Sequence, residues 1–163
     1  MIAIRPEMSG DEPVIHALTT NAFAAALHSD GTESDIIDRL RDDGDLAISL
    51  VADDAGIIGH IAFSPVAFGD ATAGWYGLGP ISVTPARQRT GIGGQLIRAG
   101  LERLMDIGAA GCVVLGDPNY YGRFGFRHDP AIAFEGPPAQ YFQVLVLAGP
   151  LASGEARYAP AFY

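Results

Sequence analysis

Lysine is absent from this sequence. All ten basic side chains are arginine, set against nineteen Asp and Glu, for a formal net charge of −9. That balance excludes a phosphate-tracking nucleic-acid binder, which needs a basic stripe. It also removes the lysine that a P-loop, G-x-x-x-x-G-K-[ST], sets against nucleotide phosphates. Cysteine occurs once, as Cys112, so no internal disulfide can form and no cluster has zinc-ligand spacing. Its thiol sits inside the apolar run "GCVVLG" with no base beside it in sequence, which argues against a thiol nucleophile. The four histidines, His16, His28, His60 and His128, are isolated and share no helical face, so no metal is expected. No G-x-S-x-G elbow is present, which weakens a serine hydrolase. No apolar run approaches the ~18 residues of a membrane span, and the opening "MIAIRPEMSGDE" lacks the basic and apolar regions of a signal peptide. A cytoplasmic protein with no membrane partner is expected.

What is there suits one globular unit. The 163 residues, 48% of them hydrophobic, are enough for one domain with a sizeable core and too few for two. No repeat, low-complexity tract or linker divides residues 1–163. "IAIRP" reads as a first strand. A helix starts at Asp11-Glu12-Pro13 with Val14, Ile15, Leu18 and Ala22 at helical spacing. Thr32 is placed to cap a second helix carrying Ile36, Ile37 and Leu40, with Asp35 completing a near capping box. "LAISLVADD" and "GIIGHIAFSPVAF" form a hairpin turned at Asp54-Ala55-Gly56. "GWYGLGPISV" is a strand interrupted by Gly77, Gly79 and Pro80, and the Gly79-Pro80 break is what a bulge would produce. After it come a helix with Leu96, Ile97, Leu101, Leu104 and Met105 on its apolar face, a central strand at "GCVVLG", a short helical turn, and a last strand "YFQVLVLAG". The order predicts a mixed α/β single sheet. Nine acidic residues lie between Asp30 and Asp54 against only Arg39 and Arg41. They read either as a solvated face or as a field that attracts a cationic substrate such as an amine.

The most informative stretch is "PARQRTGIGGQLIRAGLERL", Pro85 to Leu104. It crowds Gly91, Gly93 and Gly94 into the opening turn of a helix, where each glycine costs roughly 1 kcal/mol relative to alanine. The first N–H groups of a helix lack partners and sit at the positive end of its dipole. Bare backbone there lets a diphosphate approach, which can outweigh the lost propensity. A tight strand-to-helix turn that needs positive φ is the competing reading. The dinucleotide fingerprint G-x-G-x-x-G fails, because Leu96 stands where its last glycine would be.

The pattern that does fit is V-x-P-x-x-Q-x-x-G-x-G, met by Val83, Pro85, Gln88, Gly91 and Gly93. It resembles the acetyl-CoA-binding signature of the GNAT N-acetyltransferases. "YYGRFGF" adds to this, with Tyr121 four residues before the Gly125-Phe126 pair. "LGDPNYYGRFGF" and the final "YAPAFY" are similar to the YhbS-like branch of predicted acetyltransferases. The resemblance implies an α/β GNAT-like fold with a mixed, mostly antiparallel sheet flanked by helices. It implies a single N-acetyltransferase domain over 1–163, with acetyl-CoA as acetyl donor. The pantetheine arm falls beside Ile81, Ser82 and Val83, and the pyrophosphate on the backbone of Gln88, Arg89, Thr90, Gly91, Ile92, Gly93 and Gly94. A bulge that splays two strands would open the cleft for the coenzyme.

The chemistry implied is direct acyl transfer from a thioester to a primary amine, on a small molecule or a peptide. A phenol with pKa ~10 suits protonation of the departing thiolate. By position in the family pattern Tyr121 is that acid, unless it is a packed aromatic. Glu33, at the start of the second helix, reads either as base or amine holder or as a carboxylate favoured by the helix dipole. His60 is a second candidate base if it points into a cleft. Asn119 stands where it can bond the coenzyme arm or serve the turn after Asp117-Pro118. Arg87 and Arg89 are phosphate partners or surface charges. Oxyanion stabilisation would come from a backbone N–H near Leu78 to Ile81. A non-catalytic acyl-CoA sensor or partner-binding domain is the alternative, and a homodimer fits the family. "YAPAFY" either forms that contact or folds back on the core.

Overall fold

The computed structural model describes residues 1–26 and 29–163, so His28 lies outside the described residues. The chain begins with β1 (Ala3–Pro6), α1 (Glu12–Phe23) and α2 (Glu33–Asp43). The hairpin of β2 (Ile48–Asp53) and β3 (Ile57–Pro65) follows, then β4 (Ala67–Phe68), β5 (Trp75–Val83) and α3 (Ile92–Asp106). The remainder is β6 (Gly111–Leu115), α4 (Pro118–Tyr121), β7 (Ile132–Ala133), β8 (Phe142–Val146) and β9 (Gly154–Arg157). Six strands form the main sheet in the order β1-β2-β3-β5-β6-β8, antiparallel except for β5 and β6.

Two sequence expectations are corrected. A second sheet, β4-β9-β7, exists beside the first. Its strands are two residues, four residues ("GEAR") and two residues long, too short and too polar to show an alternating pattern. Thr32 holds the N-cap position of α2 without a capping bond, because its hydroxyl donates to Asp30 instead.

The main sheet is covered on both faces. Against α3 pack Leu50, Ile61, Phe63, Leu78 and Cys112, meeting Leu96, Ile97 and Leu104 of the helix, while Met105 stays exposed. On the other face Ile15 of α1 and Ile37 of α2 close over Val51, and Trp75, Val113 and Val144 lie under the small sheet. Burying one such side chain stabilises by about 1.5–3 kcal/mol, so these layers dominate the fold. The C-terminal "YAPAFY" folds back: Ala159 and Ala161 are buried against Leu40, and Arg39 donates to the carbonyl oxygens of Pro160 and Ala161. Part of the acidic run is structural, since Asp38, Asp53 and Asp54 pair with Arg41, Arg5 and Arg87.

The feature that positions the site is a parting of strands. β5 pairs with β6 only over Trp75–Gly77 against Gly111–Val113. Beyond that, β6 keeps β8 and β5 keeps β3, and a wedge opens between them. The register of β3 on β5 runs from Ile61–Ile81 to Phe63–Leu78, two steps against three, so Gly79-Pro80 carries an extra residue. A bulge bends its strand, and Pro80 has no N–H to offer a neighbour.

His60 does not point into a cleft. It is fully buried in β3, with Nε2 2.7 Å from Ser49 Oγ. Ser49 donates its hydrogen to Glu7 (2.8 Å), so neutral His60 donates from Nε2, and Glu7 in turn receives Arg41. Burial pushes the imidazole down to about 4, with Arg41 adding to burial and the Glu7 carboxylate opposing it. Burial alone would raise Glu7, yet Arg41 and Ser49 outweigh it and hold that carboxyl below its usual value. Because the folded pKa of His60 lies below the unfolded one, its contribution is complete above pH 6.5 and is lost as pH falls towards 4. Wild type should lose about 3 kcal/mol over that range that His60→Gln does not lose. Urea unfolding of both proteins between pH 7 and 4 checks this, and parallel pH dependences would contradict it.

Candidate functional site

The turn between β5 and α3 is built for bare backbone. Arg89 (φ 63°) and Gly91 (φ 90°) both adopt left-handed conformations. Only glycine does so without steric cost. Gln88 Nε2 donates to the Val83 carbonyl (3.0 Å) and Thr90 Oγ1 to that of Arg87 (2.6 Å), which ties the turn to the strand end. The first helical bond runs from Gln95 N–H to Gly91 (3.1 Å), leaving the N–H groups of Ile92, Gly93 and Gly94 without helical partners.

These groups border a groove of about 620 Å³ lined by Val83, Gln88, Arg89, Gly91, Ile92, Gly93 and Gly94. All seven are residues that the sequence pattern singles out. The groove is also lined by residues that sequence reasoning missed: Arg98, Tyr120, Arg123 and Phe124. Arg98 stacks on Phe124 (5.0 Å) and Arg123 on Tyr120 (5.0 Å), so each guanidinium is held against an aromatic face. Arg87 reaches the groove but pairs with Asp54 (2.9 Å). Among the described residues no carboxylate lies within ion-pair distance of Arg89, Arg98 or Arg123. In a chain of net charge −9 this is a local positive field beside the positive end of a helix.

Two further depressions continue the path. One of about 320 Å³ is lined by Ile81, Ser82, Val83 and Gln88 with Phe23 and Ala26. A smaller one, about 210 Å³, shares Phe23 and Ala26 and contains Glu33. Glu33 receives the Ser29 hydroxyl (2.7 Å). It is therefore apart from the glycine groove but joined to it through Phe23 and Val83. Thr90 is exposed with its hydroxyl turned away, so only its backbone belongs to the turn. Asn119 uses its N–H for the Asp117 cap (2.9 Å) and does not line the groove.

The two adjacent tyrosines divide. Tyr120 lines the groove, its hydroxyl 3.0 Å from where a Gly93 Cβ would stand. Tyr121 turns inward: its ring lies on Gly116, at 2.5 Å from where a Cβ would be, and edge-on to Phe126 (6.0 Å). Burial pushes its phenol up to about 12, with Tyr120 and Cys112 contributing. Tyr121 thus stays protonated throughout the neutral range, its ring packed on Gly116 just past the end of β6. Cys112 is fully buried and burial pushes its thiol well up, so it is no nucleophile.

Known proteins similar to this chain agree with this geometry. The profile of the acetyltransferase (GNAT) domain matches residues 45–128. The chain is 39% identical over 157 residues to the uncharacterized N-acetyltransferase YhbS of Escherichia coli K12, covering 93% of this chain and 90% of that protein. A GNAT family acetyltransferase from Brucella melitensis, solved with acetyl-CoA, superposes with a TM-score of 0.89 at 46% identity, over 100% of this chain and 99% of that one. Escherichia coli YhbS in complex with CoA superposes with a TM-score of 0.87 at 35% identity, over 99% and 91%. With the parted strands, the bare helix start and relatives that match along nearly the whole chain, this protein belongs to the GNAT acetyltransferase family.

Proposed function

We propose that residues 1–163 form one catalytic domain in which acetyl-CoA lies along the free edge of β5, and that its acetyl group passes directly to a primary amine. As a GNAT member the chain is an acetyl-CoA-dependent acyltransferase. The observation that carries the placement is the row of unpaired N–H groups at Ile92, Gly93 and Gly94, opening onto an arginine-lined groove continuous with β5. The backbone of Gln88 to Gly94 would hold the diphosphate, with Arg89, Arg98 and Arg123 supplying charge. Ile81, Ser82 and Val83 would flank the pantetheine arm, and Asn119 would bond it through its side-chain amide.

Acetyl-CoA supplies an acyl group activated as a thioester. The protein's own tasks are to orient that group, to accept a proton from the attacking ammonium and to deliver one to the departing sulfur. An alkylammonium of pKa ~10 must lose its proton before its nitrogen can attack. Glu33, in the depression that adjoins the pantetheine path, is assigned to hold the amine and receive that proton. Tyr121 is assigned to the sulfur, because its ring packs on Gly116 where β6 has parted from β5 and burial keeps its phenol protonated. Pro80 has no N–H, so the remaining backbone N–H groups between Leu78 and Ile81 would serve the carbonyl oxygen as charge develops on it.

Tyr121→Phe should lower kcat about 100-fold with the best amine of a panel, while the Kd of acetyl-CoA stays within twofold. Unchanged turnover would remove Tyr121 from the reaction. Gly93→Val puts a side chain between the helix start and the Tyr120 hydroxyl. It should weaken acetyl-CoA at least tenfold by calorimetry while leaving the circular dichroism of the folded chain intact. Equal affinity would move the diphosphate off this turn.

A further inference from the structure

We propose that Tyr158 sets the length of acyl group the enzyme accepts, its ring closing the inner end of the wedge between β5 and β6. The inference rests on the reading that the thioester arm runs down the free edge of β5 from Val83 towards Gly77. The stretch Leu78–Val83, without a partner on its β6 side, spans roughly 17 Å at the usual strand rise. Its inner end is the last paired position, Gly77 opposite Val113.

Gly77 has no side chain, and the ring of Tyr158 occupies that space. A Cβ on Gly77 would stand 2.5 Å from Tyr158 Cε1, 3.0 Å from Cδ1 and 3.0 Å from Val66 Cγ2. Tyr158 comes from the returning C-terminal tail, on the face of the sheet away from α3. Cys112 and Tyr121 close the opposite face.

The Tyr158 ring is fixed. Phe134 packs edge-on at 5.1 Å and Phe162 tilts against it at 5.1 Å, while Arg39 clamps the tail that carries it. Behind the ring lies a groove of about 700 Å³, lined by Pro65, Val66, Trp75, Tyr76 and Tyr158 itself. On this placement of the arm, the ring stands between the acyl group and a space that already exists. An acyl chain longer than acetyl meets the ring in the wild type. With the ring gone, the chain continues into the groove, where each buried methylene is worth about fourfold in affinity.

Calorimetric titration of CoA, acetyl-CoA, butyryl-CoA and hexanoyl-CoA into wild type, Tyr158→Phe and Tyr158→Ala tests this. Wild type and Tyr158→Phe, which keeps the ring, should bind hexanoyl-CoA at least tenfold more weakly than acetyl-CoA. Tyr158→Ala should bind hexanoyl-CoA at least tenfold more tightly than wild type does, with CoA itself unchanged. If the alanine variant does not fold, Tyr158→Leu and the wild-type series carry the test. Wild type that binds hexanoyl-CoA as well as acetyl-CoA, or small-residue variants with the wild-type length profile, would overturn the role of Tyr158. Absence of CoA binding to wild type would instead overturn the cofactor placement on which the inference rests.

Discussion

The parting of β5 from β6 is the constraint on which the rest depends. Two strands inside a sheet normally satisfy each other's backbone along their length. Here they pair over only three residues each, and an extra residue at Gly79-Pro80 bends β5 away. The consequence is an internal edge with unused hydrogen-bonding groups, whose outer end at Val83 meets the arginine-lined groove. A sheet without this fault would be tighter, but it would have nowhere to hold an extended thioester arm.

The helix that follows completes the arrangement by the same logic of unmet backbone demand. Its glycines give up helix propensity and leave N–H groups facing a groove. Arg89, Arg98 and Arg123 of that groove stand out in a strongly acidic chain because they have no carboxylate partner among the described residues, whereas Arg87 beside them pairs with Asp54, and Arg5 and Arg41 have acid partners elsewhere. Arg5 and Arg41 tie elements together through paired acids, and three arginines without such a partner, Arg89, Arg98 and Arg123, stand at the anion end.

Local features were legible in the sequence because their signals are local. The hairpin at Asp54-Ala55-Gly56, the spacing of Leu96, Ile97, Leu101 and Leu104, and the glycine turn with Val83, Pro85 and Gln88 all rest on neighbours a few residues apart. Arg98 was within reach of the same reasoning, since it stands one helical turn after Gly94. Arg123 and Phe124 were not, because they reach the groove only through the packing of α4 beside α3. The choice between Tyr120 and Tyr121 depends on the phase of a helix only four residues long, which no periodicity fixes. The small sheet and Tyr158 are the extreme case. Their partners are far away in the chain, and the residue that makes room for Tyr158 is a glycine, which in sequence reads only as an interrupted strand.

Amide hydrogen exchange with and without saturating acetyl-CoA tests the central claim most directly, that the coenzyme bridges the helix start and the freed edge of β5. The account predicts protection concentrated in two segments, Gln88–Gln95 and Leu78–Val83, with the small sheet unchanged. Protection elsewhere, or none in these two segments at saturation, would contradict it.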